Sequence, residues 1–371
     1  MTSLLIRELE LHNFRNYQEA EIHFPAGVSL IEGENGQGKT NILEAIYYLA
    51  VQHSWRTSRE ESVVRDGCES ARISALVENR RGNQVRVALG LGKERDAVVN
   101  NTRDPRRRQL AGVVTATLFA PEDLEIVKGP PGGRRDFIDD LVVKLRPAKA
   151  GVVSDYARVL KQRNGLLKSA ALTRKHDAET LDVWDSQLAT KGEALVAARR
   201  NALQTAMGVA ESVYRQACGP GIGAELRAEY ACSFDKSGAG SATALQEALK
   251  AARPEELRRG LTLAGPHLDD IAISVNGLDA RTRASQGEQR TVALSLRLAE
   301  HESVAAASGE EGILLLDDVF SELDPSRSRL LVERLASAQS ILTAAGMLPT
   351  EIREQVSATY SVKMGRVEQI T

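Results

Sequence analysis

Cysteine is scarce in this chain. There are three in 371 residues, Cys68, Cys218 and Cys232, odd in number and far apart. That pattern excludes a disulfide framework and a cysteine-held zinc site. Aromatic residues make up only 4% of the chain, too few to interleave with basic residues as a platform for stacking on single strands. No apolar run approaches the ~20 residues that a membrane-spanning helix needs, so no membrane segment is placed. Arg7, Glu8 and Glu10 put charge where an export signal would be apolar. The sequence therefore predicts no export and a cytoplasmic location. Internal repeats and sustained heptads are also missing. Net charge is slight, at −2, but it conceals a segregation. From Arg103 to Lys175 there are 16 Lys/Arg against 8 Asp/Glu, and from His301 to Asp324 there are 7 acids and no Lys or Arg. A basic middle suits a polyanion-binding face and equally a solvated helical surface.

What is present points to a globular α/β protein. Apolar residues are 42% of the total, and the length suits two or three domains. Residues 4–31 read as strands and turns, with Ala20, Ile22 and Phe24 alternating. Short β-type runs recur over 70–120. Lys128-Gly129-Pro130-Pro131-Gly132-Gly133 is the clearest break, and a helical pattern follows, with Phe137, Ile138, Leu141, Val142 and Leu145 on one face. Residues 312–318 read as a buried strand and 328–336 as a helix.

Gly33-Glu34-Asn35-Gly36-Gln37-Gly38-Lys39-Thr40 fits G-x-x-x-x-G-K-[ST], the P-loop pattern. A short apolar strand, Val28–Ile31, precedes it, and a helical stretch with Ile42, Ile46 and Leu49 follows. Glycines let backbone N–H groups approach phosphates, and the helix start directs its positive end at them. Lys39 is expected on the β/γ-phosphate oxygens of a nucleoside triphosphate and the Thr40 hydroxyl on Mg²⁺. Asp317 ends the apolar strand Ile313-Leu314-Leu315-Leu316, where a carboxylate is costly unless it meets a cation. Asp318 stands where a base or water-positioning group belongs. Because Thr40 and Asp317 must meet at one metal ion, residues 1–128 and 262–371 are expected to form one discontinuous domain around a mainly helical insertion, 129–261. Ser285-Gln286-Gly287-Glu288-Gln289 precedes another helical stretch. It reads either as a second anion-binding helix start or as a capping box of Ser285 with Glu288.

Together these elements resemble the ABC-type ATPases. Ser285–Gln289 looks like their signature motif, and Ser321-Glu322-Leu323-Asp324 like their D-loop. The resemblance implies that Ser285 and Gly287 of one subunit touch the nucleotide held by a second copy, so that ATP drives dimerisation. The gap from Thr40 to Ser285 is too long for a transporter subunit and lacks the coiled coil of SMC proteins. It resembles the RecF family, with Leu11-His12-Asn13-Phe14-Arg15-Asn16-Tyr17, Phe119-Ala120-Pro121-Glu122-Asp123-Leu124, Leu160-Lys161-Gln162-Arg163-Asn164 and Gly265-Pro266-His267 as further matches. That resemblance implies an ABC/SMC-like ATPase head with an inserted helical lobe and ATP-dependent binding of double-stranded or gapped DNA in recombinational repair and replication restart. It also implies support for recombinase loading and SOS induction, with RecR, RecO and a second copy of the chain as partners. Some positions depart from the family. Leu268 stands where the family has Arg, Asp318 where Glu is common, and Ser340–Ala344 ends without a switch histidine. The shorter Asp318 predicts slow hydrolysis, with ATP acting as a switch, and the resemblance implies a weak, DNA-stimulated ATPase. Pro121-Glu122-Asp123 occupies the place of a Mg²⁺-reaching Gln. Expected phosphate contacts for DNA are Arg106, Arg107, Arg108, Arg134, Arg135, Lys161, Arg163 and Lys168. A transporter motor subunit and a structural SMC-type head are the alternatives.

Overall fold

The middle of the first strand, Leu5–Phe14, alternates in sequence and in burial: Leu9 and Leu11 are buried while Glu8, Glu10 and His12 are not, as expected for a strand with one face in a core. In the computed structural model, which describes residues 3–370 apart from 106, 175, 176, 220–223, 236, 322, 336 and 347, this strand pairs antiparallel with Tyr17–His23 on one side and Ser70–Glu78 on the other. Gln84–Gly92, Ala97–Val99 and Thr102–Asp104 complete a six-stranded sheet.

A second six-stranded sheet carries the chemistry. Its order is Arg366–Gln369, Val356–Lys363, Val28–Glu32, Ser340–Ala344, Ile313–Asp317, Ala116–Phe119. The inner pairings are parallel. Every residue of Ile313–Asp317 and Ser340–Ala344 is buried, which is why these strands read as unbroken apolar runs rather than alternating ones. Val28–Glu32 and Ile313–Asp317 flank Ser340–Ala344, so the P-loop and Asp317 leave the same edge of the sheet with one strand between them.

The helix Lys39–Val51 is apolar nearly all round, not on one face alone. Besides Ile42, Ile46 and Leu49 it buries Leu43, Ala45, Tyr47 and Tyr48. These side chains share one core cluster with Leu9, Leu11 and Ile73 of the antiparallel sheet and Leu315 and Ile341 of the parallel one. A helix buried on all sides is a rigid support for whatever its first turn holds.

The chain divides into two compact units: Met1–Asp123, Gln216–Pro220 and Ala293–Thr371 in the first, Leu124–Arg215 and Gly221–Val292 in the second. The second unit holds Pro131–Leu145, Gly151–Thr173, most of the long helix Ala178–Cys218 and Ala242–Arg259. It also contains a three-stranded sheet of Leu278–Asp279, Asp270–Val275 and Leu226–Ala231. That pairing is why the return to the first unit comes at residue 293 rather than at 262. Asp270–Val275 is committed in register to Leu226–Ala231, and 262–292 stay with it. The second unit has its own core, in which Tyr156, Val159, Leu188, Leu195, Leu245 and Leu249 pack.

Candidate nucleotide-binding site

Two glycines of the loop are required by what surrounds them. Gly33 has φ 154° and Gly38 φ 117°. A Cβ at Gly33 would lie 2.5 Å from the Val362 carbonyl, and one at Gly38 2.6 Å from the Asn16 amide. The loop is held from outside as well. The Asn16 Nδ2 donates to the Gln37 carbonyl at 2.8 Å, the Tyr17 hydroxyl to the Gly38 carbonyl at 3.0 Å, and the Met364 N–H to Gln37 Oε1 at 2.6 Å. The helix that follows has no side-chain cap, so its first N–H groups remain directed at the loop as an anion cradle.

Lys39 is buried and folds back along the loop, its Nζ donating to the carbonyls of Gly33 at 2.6 Å and Glu34 at 2.9 Å. Burial pulls its pKa down, and the charges of Asp318 and Asp317 resist that pull. Thr40 Oγ1 donates to Asp317 Oδ1 at 2.9 Å across 277 residues of sequence. The same carboxylate oxygen accepts the Thr343 hydroxyl at 2.6 Å. Asp318 is half-buried at φ 49°, its N–H donating to Thr343 Oγ1 at 3.1 Å. An aspartate tolerates this left-handed conformation better than a bulky residue does. Desolvation and then the Asp317 charge raise the pKa of Glu122 in the Pro121–Asp123 turn. Asp123 fixes that turn, accepting from the Ala120 N–H at 2.9 Å and from Arg297 at 2.8 Å, while Arg297 also binds Glu300.

Ser285 lies in the second unit and is exposed. It forms the capping box: Ser285 N–H and Oγ donate to Glu288 Oε2 at 2.8 and 2.7 Å, and the Glu288 N–H donates back at 3.3 Å. These bonds hold the Glu288 carboxyl below its ordinary pKa. Gln286 is exposed beside it and Gly287 half-buried. Gln289 is buried, its amide donating to the carbonyls of Ala280 and Arg281 at 3.1 Å, so its side chain braces the preceding turn. Ser321 donates to the Asp318 carbonyl at 2.7 Å, and Asp324 caps the helix Pro325–Leu335 through the Arg327 N–H at 3.0 Å. Glu322 lies outside the described residues.

The expected DNA contacts do not form one set. Arg163 is fully buried, bound to Asp185 at 2.7 Å, Glu256 at 2.6 Å and Thr262 at 2.8 Å. Arg134 is buried against Asp270, and Arg107 against Glu60. These three hold the fold, because a guanidinium removed from water needs a carboxylate and cannot also meet a phosphate outside. Arg135 donates to the Asp269 carbonyl at 2.8 Å. Arg108, Lys161 and Lys168 are exposed, and Arg106 is not among the described residues.

Over residues 5–368 the chain matches the RecF/RecN/SMC N terminal domain family. It is 41% identical to the DNA replication and repair protein RecF of Streptomyces avermitilis, covering 98% of this chain and 100% of that one. The corresponding protein of Frankia alni is 39% identical, with 98% of each chain covered. The chain belongs to the RecF family of DNA replication and repair proteins. Two solved structures of the recombination mediator protein RecF of the RecFOR pathway, RecF–ATPrS and RecF–ATP, superpose with TM-scores of 0.87 and 0.88 at 28% identity, covering all of this chain and 99% and 98% of theirs. An Smc head domain from Pyrococcus furiosus shares the fold, with a TM-score of 0.53 at 15% identity over 99% of this chain and 96% of that one. The transporter and SMC alternatives are not favoured.

Placing the chain in the RecF family leaves several site residues that spacing did not reveal. Thr343 reaches Asp317 because the two are register partners on parallel strands, and Asn16 and Tyr17 reach the loop from a turn more than 20 residues earlier. The Phe14-Arg15-Asn16-Tyr17 match to RecF was the only signal for the last two.

Proposed function

We propose that this chain binds ATP with Mg²⁺ at the P-loop, closes with a second copy on double-stranded or gapped DNA, and opens again by slow hydrolysis. One observation carries this reading: the Thr40 hydroxyl and the Asp317 carboxylate meet at 2.9 Å beside the Lys39 ammonium. A hydroxyl and a carboxylate suit Mg²⁺, which completes its shell with phosphate oxygens and water. Thr40 and Asp317 would hold the ion, which neutralises charge on the phosphates. Lys39 exchanges its two loop carbonyls for phosphate oxygens, gaining a charged partner for a buried ammonium. Asp318 positions water. The ATP-bound RecF structures support the nucleotide assignment, and the exposed Ser285 supports a role for the signature segment toward a second copy. Membership of the RecFOR pathway by relatives supports RecR and RecO as partners. A cytoplasmic place of action accords with the absence, among the described residues, of a helix long and apolar enough to cross a membrane.

The test is oligomeric state in ATP and Mg²⁺, with and without duplex DNA. The wild type should dimerise, whereas Lys39→Ala and Ser285→Arg should remain monomeric. Asp318→Asn should trap the dimer and slow phosphate release at least tenfold. Normal dimers of Ser285→Arg would remove the signature role.

A further inference from the structure

Next to the P-loop is a cavity of about 500 Å³ whose polar walls are Arg15, Asn16, Asn41, Arg56, Ser62 and Arg65. Its frame is set by backbone bonds. The Arg15 N–H donates to the Val63 carbonyl and the Arg65 N–H to the Asn13 carbonyl, both at 2.8 Å, and Phe14 bridges Val64. Arg15 is held at φ 54°, a conformation arginine rarely adopts. Fully buried Glu44 sits behind the wall, accepting Arg15 Nε and Nη2 at 2.8 and 2.6 Å and Arg56 Nη1 at 3.5 Å. One carboxylate thus faces two guanidiniums. Among the described residues the Arg65 guanidinium forms no hydrogen bond or ion pair, and Asp66 is the one acid lining the cavity.

Resting on the proposed DNA-binding function, we infer that this cavity is a seat for the sugar-phosphate backbone of DNA, with Arg65 as its free phosphate contact. The space exceeds what a single phosphate needs. The walls carry guanidinium and amide donors, the groups that phosphodiester oxygens accept from. Among the described residues no aromatic side chain lines it, so it suits backbone rather than stacked bases. A hydrogen-bonded chain links it to the nucleotide loop: Arg56 Nη1 donates to Asn41 Oδ1, Asn41 Nδ2 to Asn16 Oδ1, and Asn16 Nδ2 to the Gln37 carbonyl, each at 2.8 Å. A phosphate that draws Arg56 from Asn41 alters the support of the P-loop, so DNA and ATP affinities are coupled, each changing the other by the same factor.

The experiment measures full-length protein binding a labelled duplex with a single-strand gap, by anisotropy across a salt series with ATP and Mg²⁺. A fluorescent ATP analogue is titrated in parallel. Arg65→Ala should bind this DNA about five- to tenfold more weakly, with a salt slope smaller by about one. Arg65→Lys should keep the slope, and Arg65→Glu should weaken binding further. ATP affinity without DNA should not move, and melting should match the wild type because Arg65 has no partner to lose. DNA should tighten ATP binding in the wild type and do so less in Asn41→Ala. Wild-type DNA affinity in Arg65→Glu overturns the assignment while leaving the DNA-binding function standing. Loss of ATP or inorganic phosphate binding in that variant, with DNA binding intact, reassigns the cavity to the nucleotide. A wild type that binds no DNA in any nucleotide state overturns the wider function too.

Discussion

In the second unit Arg134, Arg163 and Arg199 are almost wholly buried, and each is clamped by its own carboxylates: Asp270, then Asp185 with Glu256, then Asp139. Around the P-loop, Arg15, Arg56 and Arg65 line a cavity with one buried carboxylate behind them. Both sets carry the same charge, and two of the first, Arg134 and Arg163, fall in the basic run 103–175. What separates them is neutralisation. An arginine whose guanidinium is enclosed by acids is a cross-link between elements of the fold, while one with unused donors at a cavity is available to a polyanion. Charge density along a chain therefore locates basic residues but not a basic surface.

The largest expected effect tests the buried side of this contrast. Arg163→Ala leaves buried Glu256 without its cation and Asp185 with Arg253 alone. It should destabilise the chain by about 3–5 kcal/mol, read by urea denaturation, while protein that remains folded binds DNA as the wild type does. A loss below ~1 kcal/mol would mean that Arg163 is solvated and open to phosphate after all. Arg134→Met should cost less, because Asp270 keeps part of its hydration, and its cost should depend on pH. Burial alone would raise the Asp270 pKa. The Arg134 hydrogen bonds, the Ile271 N–H and the charges of Arg134 and Arg135 outweigh it and hold the carboxyl below 3.8. A carboxyl held low stabilises the fold above its unfolded pKa and ceases to as pH falls through the lowered value. The gap between wild type and Arg134→Met should thus be full at neutral pH and close below 3.8. A gap constant across that range would assign the effect to lost packing.

The parts of the site visible in the sequence are those written locally. The P-loop glycines, Lys39 and Thr40 form one contiguous pattern, and Asp317 follows a strand so apolar that a carboxylate at its end stands out. The capping box at Ser285 was legible for the same reason, with both members three residues apart. Thr343 was not, because its contact with Asp317 depends on parallel register rather than spacing. Arg134 and Arg163 misled because their acids lie 136, 22 and 93 residues away, so a basic run showed its cations without their partners. The return at 293 was hidden likewise, since Asp270–Val275 finds Leu226–Ala231 only in three dimensions.

The smallest effect decides whether exposure alone makes an arginine or lysine a DNA contact. Lys168 is exposed on the helix Gly151–Thr173, a sequence-predicted phosphate ligand that the structure leaves in solvent. It has the charge of Arg65 without a cavity wall, backbone frame or neighbouring donors. An isolated exposed lysine attracts a phosphate only through screened charge, so Lys168→Ala should change stability by less than about 0.5 kcal/mol and reduce DNA affinity by less than about twofold. If it instead weakens DNA binding more than Arg65→Ala in the same salt series, the DNA path follows the exposed face of the second unit. Preorganised donors would then count for less than surface charge.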